Sequence, residues 1–420
     1  MTLKSRLSQL QSQAGARPVA APPVVPPTAT PLRERLAHLR PERVQGRPVA
    51  AFARMSAGNL AHAVNGEFVA DGLIKIEEFV PLAGRIGRCE LSALTDIPLL
   101  PGETEQQPGV YIDTETTGLA GGSGTLAFLV GVAIVRDESI QLVQFLITSF
   151  AAEAALLAEV EKVLPATHRL VSYNGKSYDL PLLTTRFRMQ GLFPAFSGRE
   201  HLDLLHPVRR LFAKRWDDCR LQTVEKNLLG FHRVDDLPGA EAPEAWFAFL
   251  RAGYGEKLIK VVEHNRQDIL SLAAAHATLA QAIAAPRCHK ADLYGLARWL
   301  SEVDERQALA LLQSEWDGLC DDGKRLLAQL LRRDENWGEA LPIWEGLADK
   351  GCVESLERLA KYHEHVSKDL AAALHYSDRL PGSRADRHRQ NRLRTKCINM
   401  MGFIPSYAED PPGVIHPAAG

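Results

Sequence analysis

The chain has 420 residues and a mass of 46.2 kDa, with 45% hydrophobic and 24% charged residues, enough for two or three domains built around ordinary cores. A formal net charge of -2 excludes a global basic signal for nucleic acid, so any such signal is local. The six cysteines (Cys89, Cys219, Cys288, Cys320, Cys352, Cys397) form no C-x-x-C pair, which argues against a zinc site and a disulfide framework and fits a reduced cytosol.

Residues 1–48 are proline-rich, and Arg17, Arg33, Arg35, Arg40, Arg43 and Arg47 outnumber Glu34 and Glu42. This composition predicts a disordered basic arm, either a contact for nucleic acid or a solubilising tail. The opening "MTLKSRLSQLQSQAG" lacks the long apolar core of a signal peptide. The run Leu126–Val135 has about half the length of a membrane-spanning helix. A cytoplasmic location is the expectation. Residues 49–105 mix turn signals with strand-like runs and predict a small β-containing extension.

From 106 to 285 the pattern becomes α/β. "GVYID", "TLAFLVGVAIV" and "IQLVQFLIT" read as three strands, with "AGGSG" and "RDES" as hairpin turns. "EAALLAEVEKVLP" then reads as a helix, "RLVSYNG" as a strand and "LPLLTTRFRMQG" as a helix. "HLDLLHPVRRLF" supplies a further strand and a helix start, and one long periodic helix closes the unit. Three sequential strands followed by alternating helices and strands predict a mixed sheet flanked by helices.

From 286 to 380 the strands vanish. Ala308, Ala340 and Ala373 recur at a spacing of roughly 34 residues, with Leu327 and Leu359 between them, a tetratricopeptide-like pattern. Ordinary helical hairpins are the alternative, and Pro342 lies within a helical stretch. Residues 381–420 form a tail with a basic run, Arg384–Lys396, before a Pro/Gly-rich end.

The chemistry is concentrated in acidic residues. Asp113 and Glu115 stand two apart on a predicted strand and so project to one face. Asp179 begins a helix, Asp203 ends a strand, and Asp268 lies in the closing helix one turn after His264. Each alone has a plain reading as a cap or a solvated charge. Together they suggest a site, because unpaired charge is costly to bury and needs solvent or a cation. Four oxygen ligands without cysteine favour Mg²⁺ or Mn²⁺. Two such ions about 3.5–4 Å apart activate water and stabilise the leaving oxygen in phosphodiester cleavage.

"YIDTETTGL", "SYNGKSYDLPLL" and "HNRQDILSL" resemble the three motifs of DEDD exonucleases in the ribonuclease H-like superfamily. The set is most similar to the bacterial YprB-like family of predicted exonucleases. The resemblance implies a 3′–5′ exonuclease with two divalent ions, in which Asp113 bridges the metals. By the same motifs, Glu115 and Asp268 hold the nucleophile-side ion, and Asp179 acts on the second ion through water. Thr114, Thr116, Asn174 and Asp203 are substrate-binding candidates, Asn174 by its motif position and Asp203 as a residue that either orients a ligand from a neighbouring strand or merely ends its own.

One position departs from the family pattern. His264 occupies the place four residues before the last aspartate where tyrosine is usual. A histidine there suits proton transfer or orientation, and its plain reading is a buried structural residue. "WDD" (Trp216–Asp218) and "VDD" (Val234–Asp236) carry no geometry that sequence alone supplies. The expected partners are single-stranded DNA or RNA, with a protein partner on the helical repeats. A rival reading is a catalytically weak or inactive nucleic-acid-binding adaptor whose helical repeats recruit a protein partner.

Overall fold

The computed structural model describes residues 54–118, 124–194 and 196–401. The arm expected over 1–48, the turn residues 120–123 and the Pro/Gly-rich end lie outside them.

The sequence between the arm and the motifs folds into α1 (Ala57–Ala63), β1 (Gly66–Ala70) and β2 (Leu73–Pro81). A short hairpin follows, β3 (Arg85–Ile86) with β4 (Cys89–Glu90). The α/β region then supplies β5 (Gly109–Thr116), β6 (Ala127–Val135), β7 (Ser139–Ile147), α2 (Glu153–Val163), β8 (Arg169–Ser172), α3 (Asp179–Met189) and β9 (His201–Asp203). It ends with α4 (Leu205–Phe212), α5 (Leu221–Val224), a π-turn over Glu225–Leu229, α6 (Ala242–Ala252) and α7 (Glu256–Ala284).

Seven of these strands form one mixed sheet in the order β1-β2-β7-β6-β5-β8-β9. β2 pairs antiparallel with β7 from Leu73↔Ile147 to Pro81↔Ser139, so part of the 49–105 segment belongs to the central sheet. β5 pairs antiparallel with β6 and parallel with β8, and β9 is parallel to β8. Every residue from Ala127 to Ile134 is buried, as expected of a strand covered on both faces and written as a continuous apolar run. One face packs Val110, Ile112 and Phe128 against α2 and α6 residues such as Leu156 and Trp246. The other packs Tyr111, Ala133 and Val171 against Ile269 and Leu272 of α7.

The remainder is helical: α8 (Leu293–Val303), α9 (Glu305–Ser314), α10 (Asp321–Arg333), α11 (Trp337–Asp349), α12 (Val353–His365), α13 (Leu370–Asp378) and α14 (Arg384–Met401). Side chains of Asp304, Asn336 and Asp369 accept from backbone amides and cap α9, α11 and α13. Ala308, Ala340, Ala373 and Leu359 are fully buried between consecutive helices. Pro342 lies inside α11 without ending it. The basic run Arg384–Lys396 is helical, and Arg392 and Lys396 pair with the buried Glu364 of α12.

This helical part meets the α/β part at α4. The Asp292 amide donates to the Leu211 carbonyl at 2.8 Å, and Arg210 pairs with Glu302 at 2.7 Å. Gly295 makes the approach possible. A Cβ there would lie 2.0 Å from the Arg210 carbonyl oxygen.

Candidate active site

The first two carboxylates lie inside β5, which runs three residues beyond "GVYID" through Thr116. Alternation points Asp113 and Glu115 to the face covered by α7 and Thr114 to the other. The pairing of β5 with β6 shifts register at Glu115/Thr116. Such irregularities re-aim side chains at strand ends near functional sites.

Asp113 sits in a cross-strand row with Gly131 and Gln144. Above that row lies Asn265 of α7, wholly buried, whose Nδ2 donates to Asp113 Oδ2 at 2.8 Å. Gln144 Nε2 donates to Asn265 Oδ1 and to the Val262 carbonyl, both at 2.9 Å. The glutamine therefore fixes which end of the asparagine amide faces the aspartate. Glycine is required between them, since a Cβ at 131 would lie 2.4 Å from Asn265 Oδ1 and 2.0 Å from Ile269 Cδ1.

Asp179 opens α3 beyond the carboxyl end of β8, and the Thr114 hydroxyl donates to its Oδ1 at 2.5 Å. The loop before it is held by Asp203, whose carboxylate accepts from the backbone amides of Asn174 (2.7 Å), Lys176 (3.0 Å) and Leu205 (3.1 Å). Asn174 takes the left-handed conformation, φ 65°, in that turn. These contacts correct the substrate-binding expectation for Asp203. At 2% exposure it faces the protein interior, where it serves as the acceptor for three backbone amides. The Thr114 hydroxyl is likewise committed to Asp179. Thr116 Oγ1 donates to the Gly118 carbonyl at 3.1 Å.

Asp268 and His264 project from one face of α7. His264 Nε2 lies 3.4 Å from Asp268 Oδ2 and 3.9 Å from Glu115 Oε1. One ligand atom from each of Glu115, His264 and Asp268 falls within 4.8 Å of the others, an arrangement able to hold a cation.

Three residues with no sequence signal complete the site. Arg233 is buried beside the cluster and hydrogen-bonds Asp268. It also donates to Glu225 Oε2 (2.8 Å), Glu225 Oε1 (2.5 Å) and Asp236 Oδ2 (3.2 Å). Asp236 belongs to the "VDD" stretch, and its Oδ1 lies 2.7 Å from His264 Nδ1. Glu225 comes from the π-turn. A loop and a π-turn carry no periodicity, so only the triplet of charges around Val234 marked the place.

The electrostatics fit a cation. Burial, then the charges of Asp268, Asp179 and Glu115, holds the Asp113 carboxyl well above the usual carboxylate range. Burial, then Asp268, Asp179 and Asp236, pushes Glu115 up to about 8, with Arg233 opposing. Burial raises Asp179 to about 6 against its hydrogen bond from Thr114. Burial disfavours the charge on Arg233, yet its bonds to Glu225 and the charge of Asp268 hold its pKa above the ordinary arginine value. One guanidinium leaves most of this repulsion uncompensated.

A cleft of about 460 Å³ opens beside the cluster, lined by Glu115, Thr116, Tyr178, Asp179, Gly239 and others. A larger cleft of about 720 Å³, around Gly109, Arg169 and His276, is lined by none of the motif carboxylates. Of the two, the smaller one is lined by motif carboxylates, Glu115 and Asp179.

A family profile described as the RNase_H superfamily matches residues 110–280. The uncharacterized protein YprB of Bacillus subtilis (strain 168) is 35% identical over 283 residues, covering 64% of this chain and 68% of that protein. Among solved structures, the family B DNA polymerase of the hyperthermophilic archaeon Pyrobaculum calidifontis is similar over 66% of this chain at 13% identity. The chain spans 35% of that polymerase, and at a TM-score of 0.32 the likeness carries no argument. Among the described residues, no helix is long and apolar enough to cross a membrane. With the mixed sheet, the helices on both its faces and a relative matched along most of its length, this chain belongs to the YprB-like family of the RNase H superfamily.

Proposed function

We propose that this nuclease-fold protein is a divalent-metal-dependent 3′–5′ exonuclease acting on the ends of single-stranded DNA or RNA. The observation that carries the reading is the gathering of Asp113, Glu115, Asp179 and Asp268 beside a cleft lined by Glu115 and Asp179: burial and the neighbouring carboxylates raise Asp113 and Glu115, and burial raises Asp179. The aspartates and glutamate of this set suit Mg²⁺ or Mn²⁺: Asp113, Glu115 and Asp268 would hold one ion, and Asp113 with Asp179 would hold the other. When bound, two such ions neutralise the scissile phosphate and make water a better nucleophile.

The chain's own residues orient and exclude. Asn265 donates to one oxygen of Asp113 and holds it in place, and Thr114 does the same for Asp179. Arg233 takes one oxygen of Asp268. Tyr178, 58% exposed beside Asp179, offers an aromatic face on which an unpaired terminal base stacks.

The test uses purified protein and an Asp113→Asn variant on end-labelled single-stranded DNA and RNA, with Mg²⁺, Mn²⁺ or EDTA. The expected result is a metal-dependent ladder from 5′-labelled strands and immediate release of label from 3′-labelled strands. The variant should lose at least ~100-fold in rate, as expected when a transition-state electrostatic contact is removed. Absence of cleavage of both polymers under all metal conditions would overturn the reading.

A further inference from the structure

His264 is 8% exposed, and its ring is held from behind. Its Nδ1 lies 2.7 Å from Asp236 Oδ1 and 3.2 Å from Arg233 Nη1. A carboxylate only accepts and a guanidinium only donates, so one ring nitrogen cannot satisfy both. The shorter contact decides, because Arg233 already has acceptors in Glu225, Asp236 and Asp268. Nδ1 therefore carries the hydrogen and donates to Asp236, and Nε2 keeps its lone pair.

That lone pair faces the acids. Nε2 stands 3.4 Å from Asp268 Oδ2 and 3.9 Å from Glu115 Oε1, and makes no hydrogen bond among the described residues. Gly239 forms the adjoining wall, where even a Cβ would come no nearer to Nε2 than 3.6 Å. A nearly buried imidazole, turned toward two carboxylates and backed by a third, has the carboxylate–histidine arrangement of metal-ligating histidines.

We propose that His264 is a direct ligand of the cation held by Glu115 and Asp268, with Asp236 as its positioning residue, and that this half of the site selects a first-row transition dication over Mg²⁺. The assignment rests on the cation-binding reading above. An imidazole whose lone pair is on the metal does not at the same time take a proton from water, so the role differs from that of a general base. Mg²⁺ is satisfied by oxygen alone, whereas imidazole nitrogen favours transition metals.

Mn²⁺ is the probe, with the full chain. Titration calorimetry gives its affinity beside that of Mg²⁺, and pulsed EPR on the Mn²⁺-loaded protein reads ¹⁴N coupling from a directly bound imidazole. The wild type should show that coupling and bind Mn²⁺ at least ~10-fold more tightly than Mg²⁺. His264→Gln should lose the coupling and weaken Mn²⁺ more than Mg²⁺. Asp236→Asn should keep the coupling and weaken Mn²⁺ by ~10–100-fold. Bound Mn²⁺ without ¹⁴N coupling in the wild type, or coupling that survives His264→Gln, would overturn the ligand assignment and leave the nuclease reading standing. Failure to bind either cation would overturn both.

Discussion

Between their ordinary and raised pKa values, Glu115 and Asp179 keep protons in the folded chain that they would release in the unfolded one. Their carboxyls stand at about 8 and about 6, against ordinary values of 4.5 and 3.8. The sign follows from proton counts. Between the ordinary and the raised value the folded state binds more protons, so this contribution to stability is full at acid pH and is lost as pH rises toward about 8. In EDTA, the melting temperature of the wild type should fall relative to that of Glu115→Gln as the pH is raised through that window. A divalent cation should restore it most at the alkaline end. Thermal melts at stepped pH check this, and parallel curves for the two proteins would contradict it. These carboxylates were legible in the sequence because each lies in a short motif with its own strand or helix signal. Arg233 and Asp236 were not legible, since nothing local distinguishes a paired loop charge from a solvated one.

At the scale of elements, the site depends on how closely α7 lies on the sheet. The row Asp113–Gly131–Gln144 crosses three strands, and the side chain missing at its centre leaves room for Asn265 and Ile269. Gly131→Ala should destabilise the protein by ~1–3 kcal/mol through overpacking. It should also reduce nuclease activity by ~10-fold or more, because the displaced helix carries Asn265, His264 and Asp268 together. Urea unfolding with a parallel activity measurement tests this. A loss of stability without loss of activity would show that the helix adjusts locally. The strands were legible as apolar runs, and the closing helix by its period. Their registry was not, because "LVGVAIV" gives no sign that its glycine faces a helix. Asp203 shows the same limit. Its position was visible, but its task of receiving two amides from a neighbouring loop, beside that of Leu205, depends on β8 and β9 lying side by side.

At the scale of the whole molecule, the α/β and helical parts meet through a backbone-to-backbone approach at Gly295. A Cβ 2.0 Å from the Arg210 carbonyl has no flexible atom to yield, so Gly295→Ala should lift α8 from α4. The connector between α7 and α8 carries Arg287 and Lys290, both trypsin sites. Limited trypsin digestion of the variant should cut there several-fold faster than in the wild type, releasing the helical part. Equal rates would mean that the Asp292–Leu211 hydrogen bond and the Arg210–Glu302 ion pair suffice to hold the two parts together. The sequence showed the change from strands to helices near residue 286, but nothing in it marked the glycine that joins them.

The pairing of β2 with β7 has a consequence for where this domain can be cut. A fragment drawn from the family match alone begins at residue 110 and lacks both β1 and β2. It would expose one side of β7, a nine-residue strand whose stretch Leu142–Ile147 is buried in the intact chain. An apolar strand with unpaired amides is a template for a second copy of itself. Such a fragment would keep Asp113, Glu115, Asp179 and Asp268 and still be prone to self-association. The independent unit keeps β1 and β2 on β7 and the α1 residues Leu60 and Ala61 in the same core, so it begins no later than α1.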